Sequence, residues 1–371
     1  MKAYTFPGRL GLQQRVLPEY RVMLIDALAQ ACQGGLGVFA GLPMADETIT
    51  TSERLTQATY YPARNRHFFS PASSLYICWQ SGLEDWLEAW QPDALIVEAN
   101  PRYLTTPRAV DWMHSRKCPV LGWGLGAPSI SGRLAGWQER RRRHLLLALD
   151  GVIAYSGRGA AEYAALGIPE ERIFVAPNAV TPSPGWPLPE RSPAFVERPA
   201  VLFVGRLQSR KRVDCLIQAC AALPMAIQPR LWVVGDGPAR PALEELARRV
   251  YPRAEFPGPR HGDELRSYFD AADLFVLPGT GGLAVQQAMS YGLPVIVAQG
   301  DGTQGDLVRP GNGWIIPSED LGALTQTLAQ ALSDPVNLRR MGAESYRIVA
   351  EEINIDKMVA VFIQALQAVR G

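Results

Sequence analysis

The chain has 371 residues, 47% of them apolar and 20% charged, with a formal net charge of +1. One ordinary core does not extend over so many residues, so two domains are expected, and the missing basic surplus excludes a dedicated nucleic-acid binder. No run approaches the ~20 apolar residues of a membrane span, and Met1-Lys2-Ala3-Tyr4 opens no signal-peptide core, so a cytoplasmic protein is expected.

Short apolar runs alternate with amphipathic stretches from the start of the chain. Strands are expected at 2–6, 35–40, 75–79, 94–98, 119–123, 151–155 and 172–176. Helices are expected between them at 17–32, 83–90, 107–116, 132–149 and 157–166. Gly8-Arg9-Leu10-Gly11 then reads as a glycine-rich turn from the first strand into the first helix. Residues 181–199 change character: Pro182, Pro184, Pro187, Pro189, Pro193 and Pro199 leave few amides for any ladder, which predicts a linker.

A second series follows, with strands at 200–204, 231–235, 254–256, 274–277, 294–298 and 313–316. Its helices are expected at 213–222, 239–250, 262–271, 283–291 and 321–333. Strands alternating with helices of this length imply βαβ units and parallel sheets. The expected fold class is therefore α/β, with two Rossmann-like doubly wound domains facing across a cleft. The first covers 1–180, the linker 181–199 and the second 200–350. Residues 351–371 hold a terminal helix whose apolar stripe is Met358, Val361, Phe362, Ala365 and Leu366.

Chemistry concentrates in the second half. Val201-Leu202-Phe203-Val204 ends in Gly205-Arg206-Leu207, and Lys211 follows in Ser209-Arg210-Lys211-Arg212-Val213-Asp214. Cations just past a strand's carboxyl end can stabilise a departing diphosphate. Further on, Leu274–Leu277 runs into Pro278-Gly279-Thr280-Gly281-Gly282-Leu283, then Gln287-Ala288-Met289. Glycines there let backbone N–H groups approach phosphate or sugar oxygens, and the next helix adds its positive end. Arg210 and Arg212 read as surface charges. Open α/β sheets bind ligands at the carboxyl ends of their strands.

This combination resembles the donor-nucleotide half of glycosyltransferases with the GT-B fold, closest to retaining family 4. The resemblance is specific in order and spacing over 199–345 and rests on strand–helix rhythm over 1–180. It implies that Arg206 and Lys211 grip the diphosphate of a nucleotide-sugar donor, a UDP- or GDP-sugar. Gly205 sits in that clamp, and Thr280, Gly281, Gly282 and Leu283 hold phosphate or sugar. Where the family reads E-G-F-G-L-x-x-x-E-A-M, Gly279 stands for the first glutamate and Gln287 for the second, so both carboxylates are replaced. Gln287 still offers a ribose hydroxyl an acceptor and a donor. Phe256-Pro257-Gly258-Pro259-Arg260 resembles the family's loop near the base, so Arg260 is a base or phosphate contact, or a plain loop residue, as is His261. Val234-Gly235-Asp236-Gly237-Pro238 and Pro177-Asn178-Ala179-Val180 match further turns, and Asp301-Gly302-Thr303-Gln304-Gly305-Asp306 occupies the place of another loop, with Gln304 and Asp306 as lesser candidates.

In the first half, the strand ending at Glu98 carries a carboxylate that could orient or deprotonate an acceptor hydroxyl. It could equally cap a loop or pair with Arg102 or Arg108. No histidine base stands at Leu125. The four histidines (His67, His114, His144, His261) show no metal spacing, so no metal and no cofactor beyond the sugar-nucleotide co-substrate is expected. The five cysteines (Cys32, Cys78, Cys118, Cys215, Cys220) form no C-x-x-C pair and read as buried free thiols. Arg140-Arg141-Arg142-Arg143 reads as the solvated face of a helix, or as a peripheral contact with the inner face of a membrane. Most of Trp79, Trp86, Trp90, Trp112, Trp123 and Trp137 read as core, with sugar stacking the other use.

The resemblance thus implies a metal-independent transferase that moves a sugar to a hydroxyl acceptor with its anomeric configuration retained. The acceptor would be a glycan or a lipid-linked glycan, bound by residues 1–180, and the last helix would cross back to that domain. Two alternatives share the fold: a sugar-nucleotide 2-epimerase, and a donor-binding pseudoenzyme that regulates a partner transferase.

Overall fold

The computed structural model describes residues 5–370 except 46, 48, 71, 72, 74, 131, 133, 282 and 301–303. In chain order the elements begin with β1 (Leu10–Val16), α1 (Val22–Gln30), β2 (Leu36–Gly41), β3 (Thr59–Pro62), β4 (Arg64–Phe68), β5 (Ile77–Ser81) and α2 (Leu83–Trp90). Then come β6 (Ala94–Glu98), α3 (Thr106–Ser115), β7 (Val120–Gly124), α4 (Ala135–Leu147), β8 (Gly151–Ala154), α5 (Gly157–Ala165) and β9 (Ile173–Val175). The second series is β10 (Ala200–Val204), α6 (Val213–Ala222), β11 (Arg230–Val234), α7 (Arg240–Val250), β12 (Ala254–Gly258), α8 (Gly262–Ala271) and β13 (Leu274–Leu277). It continues through α9 (Leu283–Ser290), β14 (Val295–Ala298), α10 (Gln304–Leu307), β15 (Gly313–Ile316), α11 (Leu321–Ser333), α12 (Pro335–Glu351) and α13 (Ile355–Arg370).

The chain divides into two compact units, residues 1–180 with 355–371, and residues 181–354. The first is built on a parallel sheet in the order β3-β2-β1-β6-β7-β8-β9, the second on one in the order β12-β11-β10-β13-β14-β15. Each order reverses once, between β1 and β6 and between β10 and β13. Such reversals leave a crevice at the strands' carboxyl ends. The strands flanking each crevice are buried on both faces, as the all-buried runs of β1 and β13 show, and helices supply the cover that parallel sheets require.

The first strand differs from expectation. It is Leu10–Val16, not 2–6, of which positions 2–4 lie outside the described residues; Leu10 and Gly11 belong to the strand rather than to a turn. Its second half, Gln13-Gln14-Arg15, is polar yet buried, which hides it from any search for apolar runs. The buried amides bond one another, leaving only Gln13 Oε1 among them without a donor: Gln13 donates to Gln80, whose own amide donates to Gln14 O at 3.0 Å and to Asn65 at 3.0 Å. The expected strand at 75–79 is β5, two residues later, and it pairs antiparallel with β4 in a separate two-stranded sheet.

Residues 181–199 lie against the second unit rather than spanning freely. Trp186 stacks on Tyr291 with centroids 5.1 Å apart and donates to Ser290 O. The Arg191 guanidinium donates to the carbonyls of Ala272, Tyr291 and Phe269 at 2.9–3.1 Å. The prolines remove amide donors from this strap, so side chains fasten it instead. The terminal helix α13 packs against α1 and β8 within the first unit, with Phe362 edge-on to Trp123 at 5.1 Å.

Candidate functional site

The crevice of the second unit is formed by two loops, one after β10 and one after β13. They touch through backbone: Thr280 N donates to Arg210 O at 3.0 Å, and the Arg210 guanidinium donates to Thr280 Oγ1 at 3.3 Å. Two glycines permit this approach. A Cβ on Gly279 would collide with Arg210 O and lie 2.5 Å from Lys211 C. Gly281, at φ +125°, faces Lys211, whose Nζ occupies the place a side chain there would take. Arg210 is therefore more than the surface charge its sequence context suggests. Arg212 is a paired cation, to Glu319 at 2.7 Å and Asp214 at 3.3 Å.

Lys211 lies in the 3-10 turn Ser209–Lys211, half-buried, and its ammonium makes no hydrogen bond or ion pair to a described residue. Burial, and then the neighbouring Arg210 charge, lower its pKa to about 8. A cation held beside glycine backbone without a counter-ion is suited to a polyanion. Arg206 is exposed just past Gly205 and likewise has no partner among the described residues. Thr280 and Leu283 are exposed at the loop, Gln287 is half-buried on α9 with no side-chain hydrogen bond to a described residue, and Gly282 lies outside the described residues. Its neighbour Gln286 turns inward, accepting from Thr181 N and donating to Ile353 O. Arg260 lies on the β12–α8 connection and reaches Glu264 at 3.4 Å. Gln304 is buried on α10, Asp306 is half-buried there, and Asp301, Gly302 and Thr303 are outside the described residues.

In the first unit, Glu98 ends β6 beside the reversal. The β1 ladder is irregular between Gln14 and Val16, and the Arg15 amide freed by that bulge donates to Glu98 Oε1 at 2.7 Å. Burial pushes the Glu98 pKa up, while the Arg15 amide, the nearby Tyr103 hydroxyl and the Arg15 and Arg21 charges pull it back. Neither Arg102 nor Arg108 is its partner: Arg102 N donates to Asn100 and Arg108 to Glu84. Arg15 forms a two-pronged pair with Glu47, both contacts 2.7 Å.

Against known proteins, the family model described as glycosyl transferases group 1 matches residues 198–334, the stretch that holds both loops. Those residues are a group 1 glycosyltransferase domain. A D-inositol 3-phosphate glycosyltransferase of Xylanimonas cellulosilytica is 29% identical over 286 residues, 71% of this chain and 64% of that protein. A GDP-mannose-dependent alpha-mannosyltransferase of Mycobacterium tuberculosis is 32% identical over 236 residues, 62% of this chain and 58% of that protein. The chain thus spans less than two thirds of these relatives' lengths. Among solved structures, Anabaena HepE in complex with UDP superposes with a TM-score of 0.70 at 17% identity, covering 97% of this chain and 99% of that one. The fold is GT-B, two Rossmann-like domains.

Within the glycosyltransferase domain the structure brings Lys211, Gly279, Thr280 and Gly281 together at one crevice. The signal for Arg210 was its position between the two expected cations; its carbonyl, which the sequence does not show as special, joins the loops. Of the other expectations, α4 breaks up the basic run: Arg142 is buried and donates to Pro128 O at 2.7 Å, while Arg141 lies over Trp137, which is 52% exposed. Trp86 and Trp123 are core. The cysteines are free, with Cys118 only half-buried. No helix among the described residues is long and apolar enough to cross a membrane.

Proposed function

We propose that the protein transfers a sugar from a nucleotide diphosphate-sugar, UDP- or GDP-linked, to a hydroxyl on a glycan or lipid-linked glycan acceptor. The observation that carries this reading is the uncompensated Lys211 ammonium packed on Gly281, at the strand-order reversal of the glycosyltransferase domain. The UDP complex of HepE, a structural neighbour, supports the same ligand class. Arg206 and Lys211 stabilise the diphosphate as its charge grows. Gly281 and the start of α9 at Leu283 present backbone N–H groups to phosphate or sugar, Thr280 offers its hydroxyl, Gln287 reaches the ribose, and Arg260 lies toward the base once it leaves Glu264.

The proposed reaction retains configuration. The C1–O bond to the departing phosphate breaks, the acceptor oxygen bonds C1 from the same face, and its proton passes to a phosphate oxygen. Glu98 orients the acceptor hydroxyl. Fixed cations replace a metal in this scheme, so activity should survive EDTA. A thermal-shift screen against UDP, GDP, ADP and their sugars tests the reading, because a ligand that binds only the native state raises the melting temperature. One nucleotide should stabilise the wild type and fail to stabilise Lys211→Ala; no stabilisation by any of them overturns the proposal.

A further inference from the structure

The first unit holds a buried cation that makes no ion pair, although it lies within charge range of Glu98. Arg21 closes the 3-10 turn Glu19–Arg21 between β1 and α1 and is 5% exposed. Its guanidinium carbon lies 4.4 Å from the ring centre of Trp123, 5.3 Å from that of Tyr155 and 5.2 Å from that of Tyr20. The side chain makes no hydrogen bond or ion pair with a described residue, and Nη1 is sealed from solvent with no acceptor. Trp123 Nε1, on the same box, is also buried without an acceptor.

Ring faces recover part of the cost of desolvating a guanidinium, but they leave its N–H groups unsatisfied. Arginine and indole nitrogens are donors only, so neither can satisfy the other. Buried donors of this kind point to a missing acceptor such as a water or an ion. Water would satisfy one N–H group at a time, whereas an oxyanion takes two at once in the fork geometry that guanidinium prefers. The place fits a ligand. Arg21 follows β1, Trp123 is the penultimate residue of β7 and Tyr155 lies just past β8, so the box sits at the carboxyl ends of the strands. Nearby, Glu98 accepts from Arg15 N and feels the Arg21 charge without pairing with it, and the Arg15 charge is taken by Glu47. Tyr20, 42% exposed, is the wall that a ligand would displace.

We propose that Arg21 and the Trp123 indole N–H form an oxyanion site in the first unit that takes a phosphate or carboxylate carried by the acceptor. The word acceptor rests on the transferase reading; the anion site does not.

The two are separated by thermal-shift titration with inorganic phosphate and, independently, with UDP and GDP. In Lys211→Ala, phosphate should still stabilise the protein. Adding Arg21→Met should raise the phosphate concentration for the half-maximal shift by roughly tenfold or more, and Trp123→Phe by roughly threefold. Nucleotide stabilisation should show the reverse pattern, lost in Lys211→Ala and kept in Arg21→Met. An identical phosphate response with and without Arg21 overturns the site. So does loss of nucleotide stabilisation in Arg21→Met, because the anion would then be the donor's own diphosphate. Should Arg21→Met not fold, Arg21→Lys and Trp123→Phe decide: the first keeps charge but loses the fork, and an unchanged phosphate response in both overturns the proposal. Absence of any nucleotide shift in the wild type would sink the transferase reading alone.

Discussion

The two units share a doubly wound sheet and a crevice where strand order reverses, yet they furnish that crevice by opposite means. In the second unit the crevice is lined by backbone: Gly279 and Gly281 let one loop lie against another, and Lys211 stands over them without a partner. In the first unit it is lined by side chains that already hold each other, Glu98 to Arg15 N, Arg15 to Glu47, and Gln80 to Gln13 and Asn65. Backbone and a free cation suit a group common to many substrates, a diphosphate. A ring of mutually committed side chains suits recognition of one particular acceptor. Arg21 is the exception among them, a buried cation with no hydrogen bond or ion pair to a described residue.

The sharpest way to break the comparison is at the glycines. Gly279→Glu would restore a carboxylate where the family has one, but its Cβ would overlap the backbone of Arg210 and Lys211. The two loops must then separate, and kcat/KM for the donor should fall by roughly a thousandfold, as when several stabilising donors are lost together. Activity equal to or above wild type in a transfer or donor-hydrolysis assay would show that the loops tolerate separation.

Removing the cation alone should cost less. Lys211→Ala should lower kcat/KM by roughly ten- to a thousandfold, with an unchanged melting temperature in the absence of ligand. Arg206→Ala, with an exposed side chain, should fall toward the lower end of that range.

The same lysine makes donor binding depend on pH. Its pKa in the free protein is lowered to about 8, and the diphosphate binds the protonated form. Donor kcat/KM should therefore hold below pH about 8 and decline above it, by roughly tenfold per pH unit at the steepest. Lys211→Arg keeps its charge and should remove that limb; an unchanged profile would assign the titration elsewhere.

Smaller effects follow at the periphery. Gln287→Ala loses one or two neutral hydrogen bonds, each about 0.5–1.5 kcal/mol, and calorimetric titration with the matching nucleotide should show roughly a tenfold weaker donor. Smallest for the donor is Glu98→Gln, which should leave nucleotide affinity unchanged while slowing transfer to the acceptor. An equal loss of donor affinity would erase the division of labour between the two crevices.

The sequence by itself determined most of the second unit. Apolar strands such as Leu274–Leu277 and helices such as Val213–Ala222 fell where their periodicity put them, because a strand buried on both faces has to be apolar. The loops whose backbones meet at the crevice were picked out for a related reason: cations and glycines stand in the sequence at fixed places after apolar strands. Only the tertiary structure decided that Arg210 O is the joint between the loops, since a carbonyl has no signature in the sequence, and that Gly279 is a backbone contact rather than a vacant carboxylate site. In the first unit it decided more. The second half of β1 holds Gln13-Gln14-Arg15, a polar run that carries no apolar signal until Gln80 and Asn65, brought in by a hairpin some fifty or more residues later, bury and bond it. Arg21 likewise carries no signal in the sequence until Trp123 and Tyr155 close over it. Apolar burial is written into local periodicity, whereas polar burial depends on distant partners and becomes visible only once the chain has folded.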